Sequence, residues 1–156
     1  MNAAEVVIDA SLAFKWVVEE PYSTEARTLL QDWGNHRRRL LAPALFLYEV
    51  ANALDEVANA LAKRMQRRQF TLEQAKERMR FFLESGPHLQ QIGAVHLRAL
   101  ELMERFGLPT AYDAHYLALA ESRRCECWTA DERLWNTVKK ELSWVRWIGE
   151  QTERQV

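Results

Sequence analysis

Four acids in this 156-residue chain stand where acids could work together: Asp9 after VVI, Glu49 in LFLYEVANAL, Asp113 in TAYDAHYLALA and Asp131 in WTADERLWN. Ligands that offer only oxygen suit a hard divalent ion such as magnesium or manganese. No compact set of His and Cys points to zinc instead. If the four carboxylates converge, each pair ~5 Å apart repels by about 3 kcal/mol at an effective dielectric of ~20, and something must neutralise them. A metal held by acids on a small domain suggests phosphate-ester chemistry, in which the ion polarises a phosphoryl oxygen and activates a water.

Each acid taken singly also has a plainer job. Asp9 and Asp131 could cap the helices that follow them, and Thr110 with Asp113 fits the T-x-x-D form of a capping box. Glu49 shares a helical face with Asn52, Ala53, Glu56, Asn59 and Lys63, which could be a wet stripe. Two observations argue for a site. Asp113 is followed one turn later by Tyr116 and Leu117 and then Ala120, so its face is apolar. Capping and a shared site also demand the same place, because helix starts in an α/β domain line the carboxyl edge of the sheet, where ligands bind.

The elements that must bring the acids there follow from periodicity and breakers. Residues 5 to 9 read as a strand, with a helix from near Ser11. Ser23 should cap a helix to about Trp33. Residues 40 to 42 form a short apolar stretch, and Pro43 suits the first position of a long helix to about Arg68, which places Glu49 in its second turn. Its apolar face is Val50, Leu54, Val57, Leu61 and Met65. Thr71 opens a helix to about Glu84, and a weak strand follows at 88 to 92. A helix from about Ala94 stops at Gly107, and another covers about 111 to 122. CECWT reads as a strand, Asp131 to about Lys140 as a helix and Trp144 to Trp147 as a last strand. Strands alternating with helices predict an α/β, three-layer domain with a mostly parallel sheet.

Composition bounds the rest. Hydrophobic residues make up 48% and charged residues 28%, and the net charge of −1 announces no nucleic-acid binder by itself. No apolar run approaches the ~18 residues of a membrane span. No basic segment precedes a long apolar stretch at the start, so no signal peptide and a cytoplasmic location are expected. One domain over 1–150 is predicted, with a C-terminal tail at 151–156. Cys125 and Cys127 read as reduced, packed thiols. Basic clusters occur at Arg37, Arg38 and Arg39, at Lys63, Arg64, Arg67 and Arg68, and at Arg123 and Arg124. Each alone reads as solvated helix ends, and beside an acidic pocket each is also a candidate phosphate guide. His115 is two residues from Asp113, which turns it about 200° away on a helix. Trp16, Trp128 and Trp135 read as packing residues.

The stretches VVIDASLAFKWVVEE, PALFLYEVANAL, TAYDAHYLALA and WTADERLWN, in this order over nearly the whole chain, resemble the PIN-domain ribonucleases, and among them the VapC-type toxins of toxin/antitoxin pairs. The resemblance implies a parallel five-stranded sheet flanked by helices, with the four acids gathered around Mg²⁺ or Mn²⁺. It implies cleavage of RNA, a cognate antitoxin and commonly a homodimer. Asp9 and Asp113 would be the principal metal ligands, with Glu49 and Asp131 completing the pocket. Ser11 and Thr129 resemble the family's small hydroxyl residues beside the site. Asn52 is a candidate to orient Glu49, and Asn136 to reach the site from the next helix. The long helix and its neighbour, with Phe81 and Phe82, could form a projecting clip for a dimer or antitoxin, or simply pack.

Three rival readings remain. A phosphoacceptor signalling domain would need another acid at a middle strand end, which 88 to 92 lack. An aspartyl phosphotransferase would want an acid where Ser11 stands. A PIN domain that binds RNA or protein without cutting is the third.

Overall fold

The computed structural model describes residues 1–64 and 71–150, with the backbone alone at 59–64. The predicted C-terminal tail, Met65, Arg67 and Arg68 lie outside the described residues.

The apolar run after Glu5 forms β1 (Glu5–Ile8), and Val6, Val7 and Ile8 are all 0% exposed. Successive strand residues point to opposite faces, so both faces of this strand are covered, as in a parallel sheet with helices on each side. β1 pairs with β2 (Arg39–Pro43) on one side and with β4 (Glu126–Thr129) on the other. β3 (His88–Gln90) and β5 (Val145–Trp147) are the outer strands, giving the order β3-β2-β1-β4-β5 with every pairing parallel. The expected five-stranded parallel sheet is therefore present, and it is an α/β fold.

Among the described residues seven helices make the connections: α1 (Ala10–Val17), α2 (Ser23–Asn35), α3 (Phe46–Arg64), α4 (Leu72–Ser85), α5 (Gly93–Phe106), α6 (Ala111–Arg123) and α7 (Glu132–Val138). The chain leaves β1 toward β2 and later returns from β3 across to β4. The strand order thus reverses beside β1, and a crevice opens at the carboxyl ends of β1 and β4.

Some boundaries differ from expectation. Pro43 does not start the long helix: it is the last residue of β2, in register with Gln90, and α3 begins at Phe46. A proline at a strand end removes no interior ladder bond, so the apolar stretch simply runs on through it. The consequence is that Glu49 stands in the first turn of α3, not the second. Ser23 does not cap α2. Its hydroxyl donates to the Val18 carbonyl at 3.0 Å and accepts from the Glu20 N–H at 2.9 Å, bracing the turn, while Tyr22 holds the cap position at φ 68°. Thr71 does cap α4, in a capping box with Gln74.

Phe82 settles how α4 sits. It is 3% exposed and packs edge-on against Phe46, with ring centroids 5.6 Å apart, and beside Trp16 at 6.2 Å. The end of α4 is therefore core, not a free clip, and Phe82 is a packing residue. Trp16 and Trp128 are buried too, and Trp135 stacks on Trp147 at 5.3 Å. Cys125 and Cys127 are free and buried. Because Phe46 is fully buried one turn before Glu49, Phe46→Ala should cost about 3–5 kcal/mol in urea unfolding, and no loss of stability would refute the packing account.

Candidate active site

Asp9 follows β1 directly, 4% exposed, at the cap position of α1, yet its side chain makes no capping hydrogen bond. Instead its Oδ2 accepts from the Thr129 hydroxyl at 2.6 Å and the Ser11 hydroxyl at 2.9 Å. These two hydroxyls lie 3.3 Å apart, one at the start of α1 and one at the end of β4. Ser11 Oγ also accepts the Ala130 N–H, and Thr129 Oγ1 the Asp131 N–H. A small polar lattice therefore ties the ends of β1 and β4 together across the crevice and fixes Asp9 within it.

Asp131 is a cap. Its Oδ1 accepts the N–H groups of Arg133 at 2.9 Å and Leu134 at 3.0 Å, which orients the carboxylate at the start of α7. Asp113 is not one. Thr110 occupies the cap position of α6 but makes no side-chain cap bond, so the T-x-x-D pattern does not form the box it resembles. Asp113 sits in the first turn of α6, on the helix that packs on β1, β2 and β4.

The acids feel one another. Burial raises the Asp113 carboxyl to about 6, and the charges of Asp9 and Asp131 push the same way. Burial likewise raises Glu49 to about 7, with Asp9 and Asp113 adding to it and a hydrogen bond from Tyr116 opposing it. Asp9 is raised by burial against the pull of Thr129 and Ser11, and Asp131 raises it further. Three carboxyls from three different elements, each raised by burial and by neighbouring acids, mark a common pocket. A cavity of about 460 Å³ adjoins it, lined by Ser11, Lys15, Glu20, Glu49, Glu56 and Ala130 among others.

Tyr116 is the residue the sequence reading undervalued. It served there only to mark an apolar face. Its side chain is 0% exposed, and its hydroxyl donates to Glu49 Oε1 at 2.7 Å. Burial holds that hydroxyl protonated, its pKa raised, so it remains a donor. A polar tip on a buried tyrosine three residues after an acid was the available signal. Asn52, proposed to orient Glu49, donates to Glu56 at 2.9 Å on the exposed side of α3. Asn136 accepts from Lys139 at 2.6 Å, away from the acids' hydrogen-bond lattice. His115 binds its own helix through Nδ1 to the Ala111 carbonyl and meets His96 at 2.9 Å, as its rotation from Asp113 predicts.

Whether the donor set fits a cation has two parts. All four acids offer oxygen, and the charges that raise Glu49 and Asp113 would be relieved by a divalent ion. Among the described residues, however, no three acidic, His or Cys side chains stand close enough to enclose one ion. Magnesium commonly takes one or two carboxylates and keeps the rest of its shell as water or substrate oxygen, and that open arrangement is the one these acids fit.

The PIN domain family matches residues 6–140. The chain belongs to the PIN domain family. PIN domains are typically nucleases, and they generally use divalent metals. No curated protein matches the chain. Among the described residues no helix is long and apolar enough to cross a membrane.

Two outcomes follow for this PIN domain. Glu49 and Asp113 are raised in the folded state, so their contribution to stability is full below the unfolded carboxyl range near 4 and is lost as pH rises through about 6 to 7. In metal-free buffer, thermal melts should therefore fall between pH 5 and 8, and Glu49→Gln should flatten that fall and melt higher at pH 8. Parallel curves for both proteins would contradict the shifts. Tyr116→Phe leaves the Glu49 oxygen without its donor and should cost about 1–3 kcal/mol in denaturant melts at pH 8, where Glu49 is charged.

Proposed function

We propose that this PIN domain is a Mg²⁺- or Mn²⁺-dependent endoribonuclease and the toxin of a toxin/antitoxin pair. The nuclease reading rests on the PIN family match over residues 6–140, with Asp9, Glu49 and Asp113 raised by burial and by neighbouring carboxylates, Asp131 among them, beside the reversal of strand order. Asp9 and Asp113 would hold the ion, with Asp131 and Glu49 completing the pocket. Once bound, the ion would offset the acids' charge, polarise a phosphoryl oxygen and lower the pKa of an attacking water.

The chain's own groups supply the rest. Glu49, half-buried and held by the Tyr116 hydroxyl, would accept the proton of the attacking water. The Tyr116 hydroxyl fixes which Glu49 oxygen is engaged and leaves Oε2 to meet that proton. Ser11 and Thr129 keep Asp9 Oδ2 in place, so Asp9 needs no reorganisation when substrate arrives.

The toxin role has support of a different kind. The resemblance of the four acidic stretches favours it, and an apolar groove of about 370 Å³ between α3 and α4, lined by Leu54, Ala58, Leu72 and Met79, gives an antitoxin segment somewhere to lie. Exposed Leu97, Leu100 and Tyr112 would suit a homodimer. A cytoplasmic location belongs with the same reading.

RNA incubated with purified protein should be cut only when Mg²⁺ or Mn²⁺ is present. Asp9→Asn and Asp113→Asn should each lose at least about 100-fold in rate while still binding RNA. Cleavage in chelator, or full activity in both variants, would sink the mechanism. RNA retained but uncut under any divalent ion would favour the binding-only PIN domain.

A further inference from the structure

Two of the basic clusters, Arg37 to Arg39 and Arg123 with Arg124, do not guide phosphates into the acidic pocket, because they lie at the other end of the sheet. Arg37 and Arg38 precede β2, Arg39 opens it, and Arg123 and Arg124 precede β4. The Asn2 N–H donates to the Arg124 carbonyl at 2.6 Å and the Arg39 N–H to the Ala4 carbonyl at 2.7 Å, which draws these segments together beside the start of β1. The acids follow the carboxyl ends of β1 and β4, about 13 Å away along a four-residue strand.

This amino edge is rich in arginine beyond its internal needs. Glu5 holds Arg123 in a two-pronged ion pair and lies 3.8 Å from Arg39. Glu126 is shared between Arg38 at 3.5 Å and Arg146 at 3.3 Å. Two strand-end glutamates thus serve Arg38, Arg39, Arg123 and Arg146, and among the described residues no ion pair engages Arg37 or Arg124. Both of these are exposed, and both stand at positive φ, 52° and 54°. Glycine would adopt that backbone with less strain, so the turn itself does not call for arginine. Next to them a cavity of about 630 Å³ is lined by Arg38, Arg146, Ser143 and the half-buried Trp144, with Glu126, the partner of both arginines, in the same wall. Arginine forks, a hydroxyl and an indole face are the groups that take phosphodiesters and stack bases.

We propose that this amino edge is a second RNA-contacting surface, on which Arg37, Arg124 and the Arg146–Trp144 cavity hold the phosphodiester backbone while the acids act at the opposite edge. The inference rests on the nuclease reading for its substrate. A pocket of four acids repels RNA, and a remote basic surface supplies the affinity that the pocket cannot. Arginine forks with an aromatic wall favour phosphate and base over the carboxylates of an acidic protein.

The test uses the full chain with Arg37→Gln/Arg124→Gln and, as the charge-preserving counterpart, Arg37→Lys/Arg124→Lys. Binding of a long single-stranded RNA in chelator, measured against salt, should show a log–log slope shallower by about 1.4 in the Gln pair, for two lost phosphate contacts, and a wild-type slope in the Lys pair. With Mn²⁺, the Gln pair should raise KM for the long RNA about tenfold with kcat unchanged, and leave cleavage of an oligonucleotide of about four nucleotides untouched. An unchanged slope in the Gln pair overturns the proposal. So does loss of poly-glutamate binding with RNA binding intact, which would assign the edge to an acidic protein. If the wild type cuts no RNA at all, the nuclease reading fails, and the binding slope still decides for or against the amino edge.

Discussion

Burying like charges together is the constraint on which the rest of this structure depends. Asp9, Glu49 and Asp113 are drawn out of water, and each is raised toward its neutral form by that burial and by neighbouring carboxylates. A fold selected only for stability would pair these acids with arginine, as it does for Glu5 and Glu126. Here the partners are hydroxyls: Thr129 and Ser11 on Asp9, and Tyr116 on Glu49. Hydroxyls orient a carboxylate without cancelling its charge, so the acids' repulsion is left standing.

The architecture bears that cost by making the supports rigid. β1 is covered on both faces, and its last residue feeds Asp9 straight into the crevice between β1 and β4. The hydroxyl lattice of Ser11 and Thr129 closes that crevice, and Asp131 is held by two backbone N–H groups of α7. Glu49 depends on a longer chain of support. Phe46 anchors the first turn of α3 against Phe82, and Tyr116 reaches across from α6. Asp9 and Asp131 follow the carboxyl ends of β1 and β4, while Arg37 to Arg39, Arg123 and Arg124 outnumber Glu5 and Glu126 at the amino edge, an asymmetry that the net charge of −1 conceals.

Most of the fold could be read from the chain. The alternation of apolar strands with helices predicts the α/β parallel sheet, and VVI and CECWT, read as strands, are β1 and β4. The errors came where local signals served two masters. Pro43 is an equally good strand end and helix start, and only the pairing with β3 decides between them. Thr110 and Asp113 have the spacing of a capping box, yet Thr110 makes no side-chain cap bond, and the charges of Asp9 and Asp131 act on Asp113. Strand-end logic places Asp9 and Asp131 at one edge, and the charges of these two are among those that raise Asp113. The acids' hydrogen-bond partners were not legible in this way. Tyr116 touches Glu49 across 67 positions of sequence, and Asn52, the nearer candidate, prefers Glu56 one turn along its own helix. The basic clusters were visible as composition, but their end of the sheet depends on strand order, which no short window of sequence encodes.

The central claim is that these carboxylates form one coupled set that a divalent ion relieves. Isothermal titration of Mn²⁺ into metal-free protein near pH 6.5, repeated in buffers of different ionisation heat, counts the protons displaced on binding. With Glu49 raised to about 7 and Asp113 to about 6, the account predicts saturable binding with release of about one proton, and loss of most of that release in Glu49→Gln. Saturable binding without proton release, or the same release from Glu49→Gln, would contradict it.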